Sequence, residues 1–179
     1  MIEITYFVHG TTFDNEQKLA SGWSSVSLSP KGVSQAIALA ENIKDKDFDI
    51  VFCSDLKRAV ESSKLDFYNR DIEIVRDCRI RECCYGDLDG QSHSLVVYED
   101  HITTPFASGE SLIDVENRVR DFVQYLKQNH DGKKIALVSH KAPQLALDVI
   151  TKNISWEKAI EQDWRKTGAW QPGWTYIIK

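Results

Sequence analysis

The sequence predicts a three-layer α/β/α sandwich with a mostly parallel sheet, and three features of the chain support this prediction. Short apolar runs typical of buried strands alternate with segments whose apolar residues recur at helical spacing. Strands separated by helices favour a parallel sheet that is covered on both faces. No repeat, low-complexity segment or linker interrupts the alternation, so the 179 residues are predicted to form one domain, residues 1–179.

The first half of the chain supplies three strands and two helices. Apolar, β-prone runs predict strands at residues 2–8, 49–53 and 72–75. Pro30 at a first helical position, with Ser29 as its N-cap, opens an amphipathic helix that is predicted to end near Lys44. Ser54 is predicted to cap the helix that follows the second strand. Residues 11–27 show no sustained period and are predicted to form a loop over one end of the sheet.

The second half opens on an irregular segment and then returns to regular alternation. Residues 78–105 are predicted to be mostly loop, with one short helix. The longest amphipathic helix begins at Ser111 and ends in the polar stretch 128–132. The remaining elements are a strand at 135–138, a helix at 142–150, a short helix capped by Ser155 and a closing strand at 174–178.

Composition narrows the classes of function that are open. The net charge of −5 argues against a nucleic-acid-binding surface but leaves room for a small cationic pocket. No apolar run reaches the length of a membrane span, and the chain opens directly on a strand, so a cytoplasmic protein is expected. The four cysteines show no metal-ligand spacing and are expected to be reduced thiols. Oligomeric state is left open.

Some conspicuous residues are expected to have no chemical role. His93, His101 and His130 match no motif and are expected to be solvated loop residues. The tryptophan-rich segment 164–174 is expected to cover a sheet edge or to form an oligomer contact.

Three strand-to-helix junctions carry functional groups: His9, Arg58 and His140. Ligands of open α/β sheets bind beyond the carboxyl ends of the strands, and parallel strands bring these ends to one rim. Gly10, directly after His9, lets the backbone approach a ligand closely. Arg58 lies near a helix N-terminus, which already favours an anion, and its guanidinium suits phosphate. The three groups therefore indicate an oxyanion site, with a phosphoryl group as its occupant.

An ordered series of motifs makes the interpretation more specific. His9-Gly10-Thr11-Thr12 with Asn15 resembles the R-H-G-x-T-x-x-N opening of the histidine phosphatase superfamily, whose fold is phosphoglycerate-mutase-like. The resemblance continues through Gly22-Trp23, Leu28-Ser29-x-x-Gly32-x-x-Gln35-Ala36, Ser54-Asp55-Leu56-Lys57-Arg58-Ala59, Glu82-x-x-Tyr85-Gly86-x-Leu88-x-Gly90, Ser108-Gly109-Glu110-Ser111 with Arg118, and Val138-Ser139-His140. It covers most of the chain, down to about residue 150.

This resemblance implies a metal-independent phosphomonoester hydrolase that acts on a small phosphorylated metabolite. His9 would be the nucleophile and would form a phosphohistidine, and Glu82 would act first as general acid and then as general base. His140 would complete the catalytic set by holding phosphoryl oxygens. The further phosphate-binding residues would be Arg58, Asn15, Gly10, Thr12 and Lys141. No metal ion or other cofactor is implied.

One residue departs from the family pattern. Val8 stands where the family has an arginine immediately before the nucleophile. Losing one charged donor at a catalytic anion could cost about 10²–10³ in rate if nothing replaced it. We expect Lys141, Arg81 or Arg79 to supply the missing charge.

Three other functions remain open from the sequence. A relative that binds a phosphorylated ligand or partner without turnover is suggested by Val8. A phosphoglycerate-type mutase is less favoured, because the stretch from Glu82 to His140 is short and residues 98–107 contain no arginine or lysine. A histidine-based metal hydrolase is poorer still, because few carboxylates accompany the histidines at ligand spacing.

Overall fold

A computed structural model describes residues 1–179 and arranges them around a five-stranded sheet. The strands are β1 (Ile2–Val8), β2 (Ile50–Ser54), β3 (Ile74–Asp77), β4 (Lys134–Ser139) and β5 (Trp174–Ile178), in the spatial order β3-β2-β4-β1-β5. Four strands run parallel, and β5 lies antiparallel to β1 at one edge. The register pairs Val8 with Ser139, so β1 and β4 end side by side.

Helices cover both faces of this sheet, as the sequence predicts. They are α1 (Phe13–Gln17), α2 (Pro30–Asn42), α3 (Lys57–Asp66), α4 (Leu112–Asn129), α5 (Lys141–Lys152), α6 (Trp156–Glu161) and α7 (Trp164–Thr167). One buried cluster joins Ile4 and Tyr6 of β1 to α4, α5 and α6. A second joins Phe7 to α2 and to the end of α3. Because neighbouring residues of a strand face opposite sides, this division is what a three-layer sandwich requires.

The long helix α4 shows how local sequence sets an element. The Ser111 side chain accepts a hydrogen bond from the Asp114 N–H, and the Asp114 carboxylate accepts one from the Ser111 N–H. This capping box satisfies backbone donors that a helix start leaves unpaired. The apolar stripe of α4, including Val115, Val119 and Phe122, is fully buried against the sheet.

Several boundaries differ from those predicted. Ser54 does not cap α3: it ends β2, and its hydroxyl accepts a hydrogen bond from the Leu56 N–H, while Leu56 occupies the cap position. Residues 13–17, predicted as loop, form α1 because Thr12 and Asn15 build a capping box. Residues 78–105 contain four 3₁₀ turns rather than one short helix, at Cys78–Ile80, Gly86–Leu88, His93–Leu95 and Tyr98–His101.

The helix α7 was not predicted at all. It is four residues long and begins where the Asp163 carboxylate accepts a hydrogen bond from the Arg165 N–H. None of the helices combines the length and the apolar character that crossing a lipid bilayer takes.

Candidate active site

Two histidines meet at the rim where β1 and β4 end. The ring centroids of His9 and His140 are 5.0 Å apart. The His9 N–H donates to the Ser139 carbonyl oxygen at 3.2 Å, which continues the β1–β4 ladder one residue beyond the strands. The Tyr6 hydroxyl donates to the His140 carbonyl oxygen at 2.6 Å and accepts from the His140 N–H at 3.0 Å. The predicted juxtaposition of the two imidazoles is therefore present, and Tyr6 fixes the backbone of one of them.

The rings line an open cavity of about 480 Å³, a size that suits a small-molecule ligand. Gly10, Asn15, Glu82 and Lys141, which the resemblance assigns to the site, share its wall with Val8. The predicted residues thus converge from β1, from α1, from the irregular segment after β3 and from the start of α5.

The Glu82 carboxylate is bound to the first turn of α5. Its Oε1 accepts from the Cys83 N–H at 2.9 Å and from the Ala142 N–H at 3.0 Å, and its Oε2 accepts from the Lys141 N–H at 3.1 Å. The Tyr98 hydroxyl donates to Oε1 at 3.4 Å. A helix N-terminus supports negative charge through its free N–H groups and its dipole. These bonds hold a carboxylate against the cavity in a defined orientation.

The backbone around Glu82 is held from behind by one arginine. Arg118 of α4 donates to the carbonyl oxygens of Arg79, Arg81 and Glu82 at 2.7–2.9 Å. Glu110 pairs with the same guanidinium and accepts from the Cys84 N–H. The irregular segment after β3 is therefore well anchored even though it lacks long helices.

Both imidazoles are neutral at neutral pH. Burial first, and then the positive charge of Arg58, lowers the pKa of His9 from 6.5 to about 3. The same two causes, with His9 itself, hold the pKa of His140 well below its ordinary value. Neither ring nitrogen of His140 has a hydrogen-bond partner, although both are buried. A neutral His9 keeps a lone pair for nucleophilic attack, and His140 keeps both ring nitrogens for a ligand.

The His9 tautomer follows from a single contact. Its Nδ1 lies 2.7 Å from the Gly10 carbonyl oxygen, which can only accept a hydrogen bond. A neutral His9 therefore carries its proton on Nδ1, and the lone pair resides on Nε2. Gly10 itself lies too close to α2 for a larger residue, because a Cβ there would be 2.6 Å from the Gly32 carbonyl oxygen.

Two of the predicted phosphate-binding residues differ from expectation in their placement. Thr12 is fully buried and serves as the N-cap of α1, so its hydroxyl is not in the cavity wall. Arg58 is 2% exposed and also lies outside that wall: its guanidinium donates to the carbonyl oxygens of Gly22 and Ser24, at 2.7 and 3.3 Å. Its charge nevertheless acts on both histidines.

The three candidates for the missing charge separate clearly. Arg79 pairs with Asp77 and lies over the Tyr125 ring, and Arg81 pairs with Asp55 and lies over the Trp23 ring. Neither Arg79 nor Arg81 lines the cavity, so of the three expected candidates only Lys141 reaches it. Lys141 does line the cavity, with its Nζ 3.4 Å from the Asp163 carboxylate and 4.4 Å from the centre of the Tyr98 ring.

Sequence reasoning missed part of the cavity wall. Trp164, Arg165 and Trp170 line it, although the segment was expected to cover a sheet edge or an oligomer contact. His93, expected to be a solvated loop residue, lines it as well. Asp66 lines it with a buried carboxyl whose Oδ2 has no hydrogen-bond partner, and burial raises its pKa well above the ordinary value. Across residues 1–179, no three His, Cys, Asp or Glu side chains are grouped so as to hold a metal ion.

A family comparison agrees with this geometry. Residues 6–168 match the model of the histidine phosphatase superfamily (branch 1). The chain belongs to this superfamily. Among the similar proteins, phosphoserine phosphatase 1 of Hydrogenobacter thermophilus is 26% identical over 157 residues, covering 82% of this chain and 74% of the relative. A 2,3-bisphosphoglycerate-dependent phosphoglycerate mutase of Methylocella silvestris is 30% identical over 164 residues, covering 80% of each chain.

Solved structures of two phosphatases share the fold. The alpha-ribazole phosphatase of Shigella flexneri superimposes with a TM-score of 0.80 at 24% identity, covering 89% of this chain and 84% of that one. A mycobacterial glucosyl-3-phosphoglycerate phosphatase in complex with VO3 superimposes with a TM-score of 0.81 at 24% identity, covering 88% and 85%. At this identity the likeness shows the phosphoglycerate-mutase-like fold, and the substrate has to be argued from this chain's own residues.

Proposed function

We propose that this protein is a metal-independent phosphomonoester hydrolase that acts on a small phosphorylated metabolite through a phosphohistidine at His9. The single observation that carries the proposal is the His9–His140 pair, 5.0 Å apart, in one cavity with the Glu82 carboxylate. A nucleophile, a proton donor and acceptor, and ligands for phosphoryl oxygens are what a double displacement at phosphorus requires.

The first step transfers the phosphoryl group to the enzyme. The lone pair on His9 Nε2 attacks phosphorus, a P–N bond forms, and the ester P–O bond breaks on the opposite side. The departing alkoxide takes a proton from Glu82, which enters this step as the protonated carboxyl group and leaves it as a carboxylate. The hydrogen bonds from α5 then support the new negative charge.

The second step returns the enzyme to its starting state. Glu82 removes a proton from a water molecule, whose oxygen attacks phosphorus while the P–N bond breaks. Orthophosphate leaves, and the lone pair returns to Nε2. In both steps the oxygens of the transferring group accept hydrogen bonds from the one ring N–H of the neutral His140 and from the Asn15 NH₂ group, since the Asn15 amide oxygen already accepts from the Thr12 N–H. Lys141 and the buried charge of Arg58 offset the negative charge that develops.

The residue composition of the segment between Glu82 and His140 favours hydrolysis over phosphoryl transfer to a second substrate. Residues 98–107 contribute Tyr98 and Phe106 to the buried core and bring no arginine or lysine. A segment without arginine or lysine adds no cation of its own to hold the second anionic group of a bisphosphate, which favours the entry of water to the phosphohistidine. The mutases among the relatives are therefore a poorer guide to this chain than the phosphatases.

The test is release of p-nitrophenol from p-nitrophenyl phosphate by wild type and by His9→Ala. We expect release by wild type that EDTA does not reduce, together with acid-labile phosphate on the protein, and release at the blank rate by His9→Ala. His101→Ala is the matched control, because that ring stacks on Phe106 outside the cavity. Equal release by wild type and His9→Ala, both at the blank rate, would instead support a module that binds phosphorylated ligands without turnover, which Val8 suggests.

A further inference from the structure

The residue before the nucleophile brings no charge to this site. Val8 is the last residue of β1; its side chain lines the cavity and packs against the larger core cluster. The positive charge nearest to the transferring group must therefore come from another element of the fold. With Arg79 and Arg81 paired elsewhere, the cations in the cavity wall are Lys141 and Arg165.

Arg165 is fixed at the cavity by two hydrogen bonds. Its Nη1 donates to Asp163 Oδ1 at 3.0 Å, and its Nη2 donates to Gln144 Oε1 at 2.9 Å. The guanidinium also lies 4.4 Å from the centre of the Trp164 ring, which stacks on Trp174 of β5. These contacts use two of the five guanidinium N–H groups and leave three for a ligand.

The anchor for this arginine is a buried carboxylate. The Asp163 side chain is fully buried, and its other oxygen, Oδ2, lies 3.4 Å from Lys141 Nζ. Burial alone would raise the pKa of Asp163, but the charges of Arg165 and Lys141 and a backbone hydrogen bond hold it below its ordinary value. One ionised carboxylate therefore orients two cations, one from α7 and one from α5, toward the same cavity.

The charge of Arg165 also reaches the histidines. It contributes to the lowering of the pKa of His9 and of His140, although less than burial and Arg58 do. The guanidinium is 24% accessible and lines the same cavity as both rings, so it can contact a phosphoryl group that is held in that cavity.

We propose that Arg165 takes the place of the arginine that the family pattern has at position 8, where this chain has Val8. Its guanidinium donates charge-assisted hydrogen bonds to the phosphoryl group that His9 accepts. This rests on the function proposed above and adds to it a phosphate ligand delivered from the C-terminal part of the chain. The preorganised fork of a guanidinium suits phosphate oxygens better than the ammonium of Lys141 does.

The experiment measures orthovanadate binding, by quenching of intrinsic tryptophan fluorescence, alongside turnover of p-nitrophenyl phosphate. We expect Arg165→Met to raise the vanadate Kd at least tenfold and to lower kcat/KM by about 10²–10³. Arg165→Lys should lie between Arg165→Met and wild type. Lys166→Met is the matched control on the same helix, because Lys166 pairs with Glu99 outside the cavity, and it should bind vanadate like wild type.

Rescue separates a ligand from a merely structural residue. In an Arg165→Met background, Val8→Arg should recover at least tenfold in vanadate affinity, because the charge returns from the strand. If Val8→Arg unfolds the chain, guanidinium ion added at millimolar concentration to Arg165→Ala supplies the same test. A vanadate Kd for Arg165→Met within twofold of wild type, or no recovery in either rescue, overturns the inference. The vanadate comparison stands even if wild type hydrolyses nothing, so this failure is distinguishable from failure of the proposed function.

Discussion

The hydrogen bonds of Glu82 allow a quantitative prediction for Glu82→Gln. In wild type Oε1 accepts two backbone N–H groups and Oε2 accepts one, from Lys141. A glutamine can keep its oxygen in the Oε1 position, but its NH₂ group then faces the Lys141 N–H, donor against donor. Leaving that partly buried donor unpaired costs about 1–3 kcal/mol, which for a domain of this size lowers Tm by roughly 2–12 °C.

The effect on activity should depend on the leaving group. Loss of a general acid–base residue costs about 10²–10⁴ in rate. Release of p-nitrophenolate needs little help from an acid, whereas an alkyl phosphate releases a strongly basic alkoxide. We therefore expect Glu82→Gln to keep a rapid burst of p-nitrophenol, to accumulate phosphohistidine because its hydrolysis lacks a base, and to lose nearly all turnover of an alkyl phosphate. Rapid-quench measurements with acid-labile phosphate analysis follow both quantities.

The matched control is Glu110→Gln. Glu110 also accepts a backbone N–H and holds the same segment through Arg118, but it does not line the cavity. It should lose stability to a similar extent without any difference between the two substrates. Equal losses on both substrates in Glu82→Gln, with no burst and no accumulated phosphohistidine, would refute the acid–base role and leave Glu82 as an anchor of α5.

Three further predictions follow from burial and hydrogen bonding. Because burial and Arg58 lower the pKa of His9 to about 3, its ¹⁵N imidazole signals in phosphate-free buffer should not change between pH 8 and pH 5; a midpoint near 6.5 would contradict this. Burial raises the pKa of Asp66, so the folded chain holds a proton that the unfolded chain releases above about pH 4, and stability falls as pH rises from there. Asp66→Asn should therefore be more stable than wild type in urea titrations at pH 7, with an advantage that shrinks toward pH 4; a pH-independent difference would contradict this. Tyr6→Phe should cost about 1–3 kcal/mol and lower kcat, because the His140 backbone loses its buried partner; an unchanged Tm and kcat would show that Tyr6 contributes neither.

The parts of the fold that the sequence predicts well are those whose causes are local. A helix start depends on only a few neighbouring residues, such as Ser29 with Pro30 at α2 and Ser111 with Asp114 at α4. Both helices begin where the sequence predicts. The prediction that Ser54 caps α3 is wrong, although serine is a common N-cap residue. Ser54 is the last residue of β2, and its hydroxyl accepts a hydrogen bond from the Leu56 N–H before the helix begins.

The candidate site divides along the same line. His9 and His140 end adjacent parallel strands, so topology alone brings them together. The cluster of Asp163, Arg165 and Lys141 could not be predicted, because α7 is four residues long and Lys141, which pairs with Asp163, lies 22 positions earlier in the chain. The mixture of tryptophans and arginine beside Asp163 was the available signal, and composition alone did not tell a cavity wall from a sheet edge.

The proposed reaction places two opposite electrostatic requirements on the site, a neutral imidazole and a positive charge close to it. In the proposed reaction the nucleophile must be neutral, which burial of both imidazoles favours, and the transferring group needs positive charge, which burial penalises. The chain meets the second requirement with cations whose own partners lie on other elements: Arg58 bonds backbone carbonyl oxygens, while Lys141 and Arg165 share the buried Asp163. Because the partners of these cations lie on several elements, the positive charge at the cavity can come from more than one position in the sequence. Val8 in β1 is then compatible with the proposed catalysis, provided that Arg165 of α7 holds its guanidinium at the cavity as we propose.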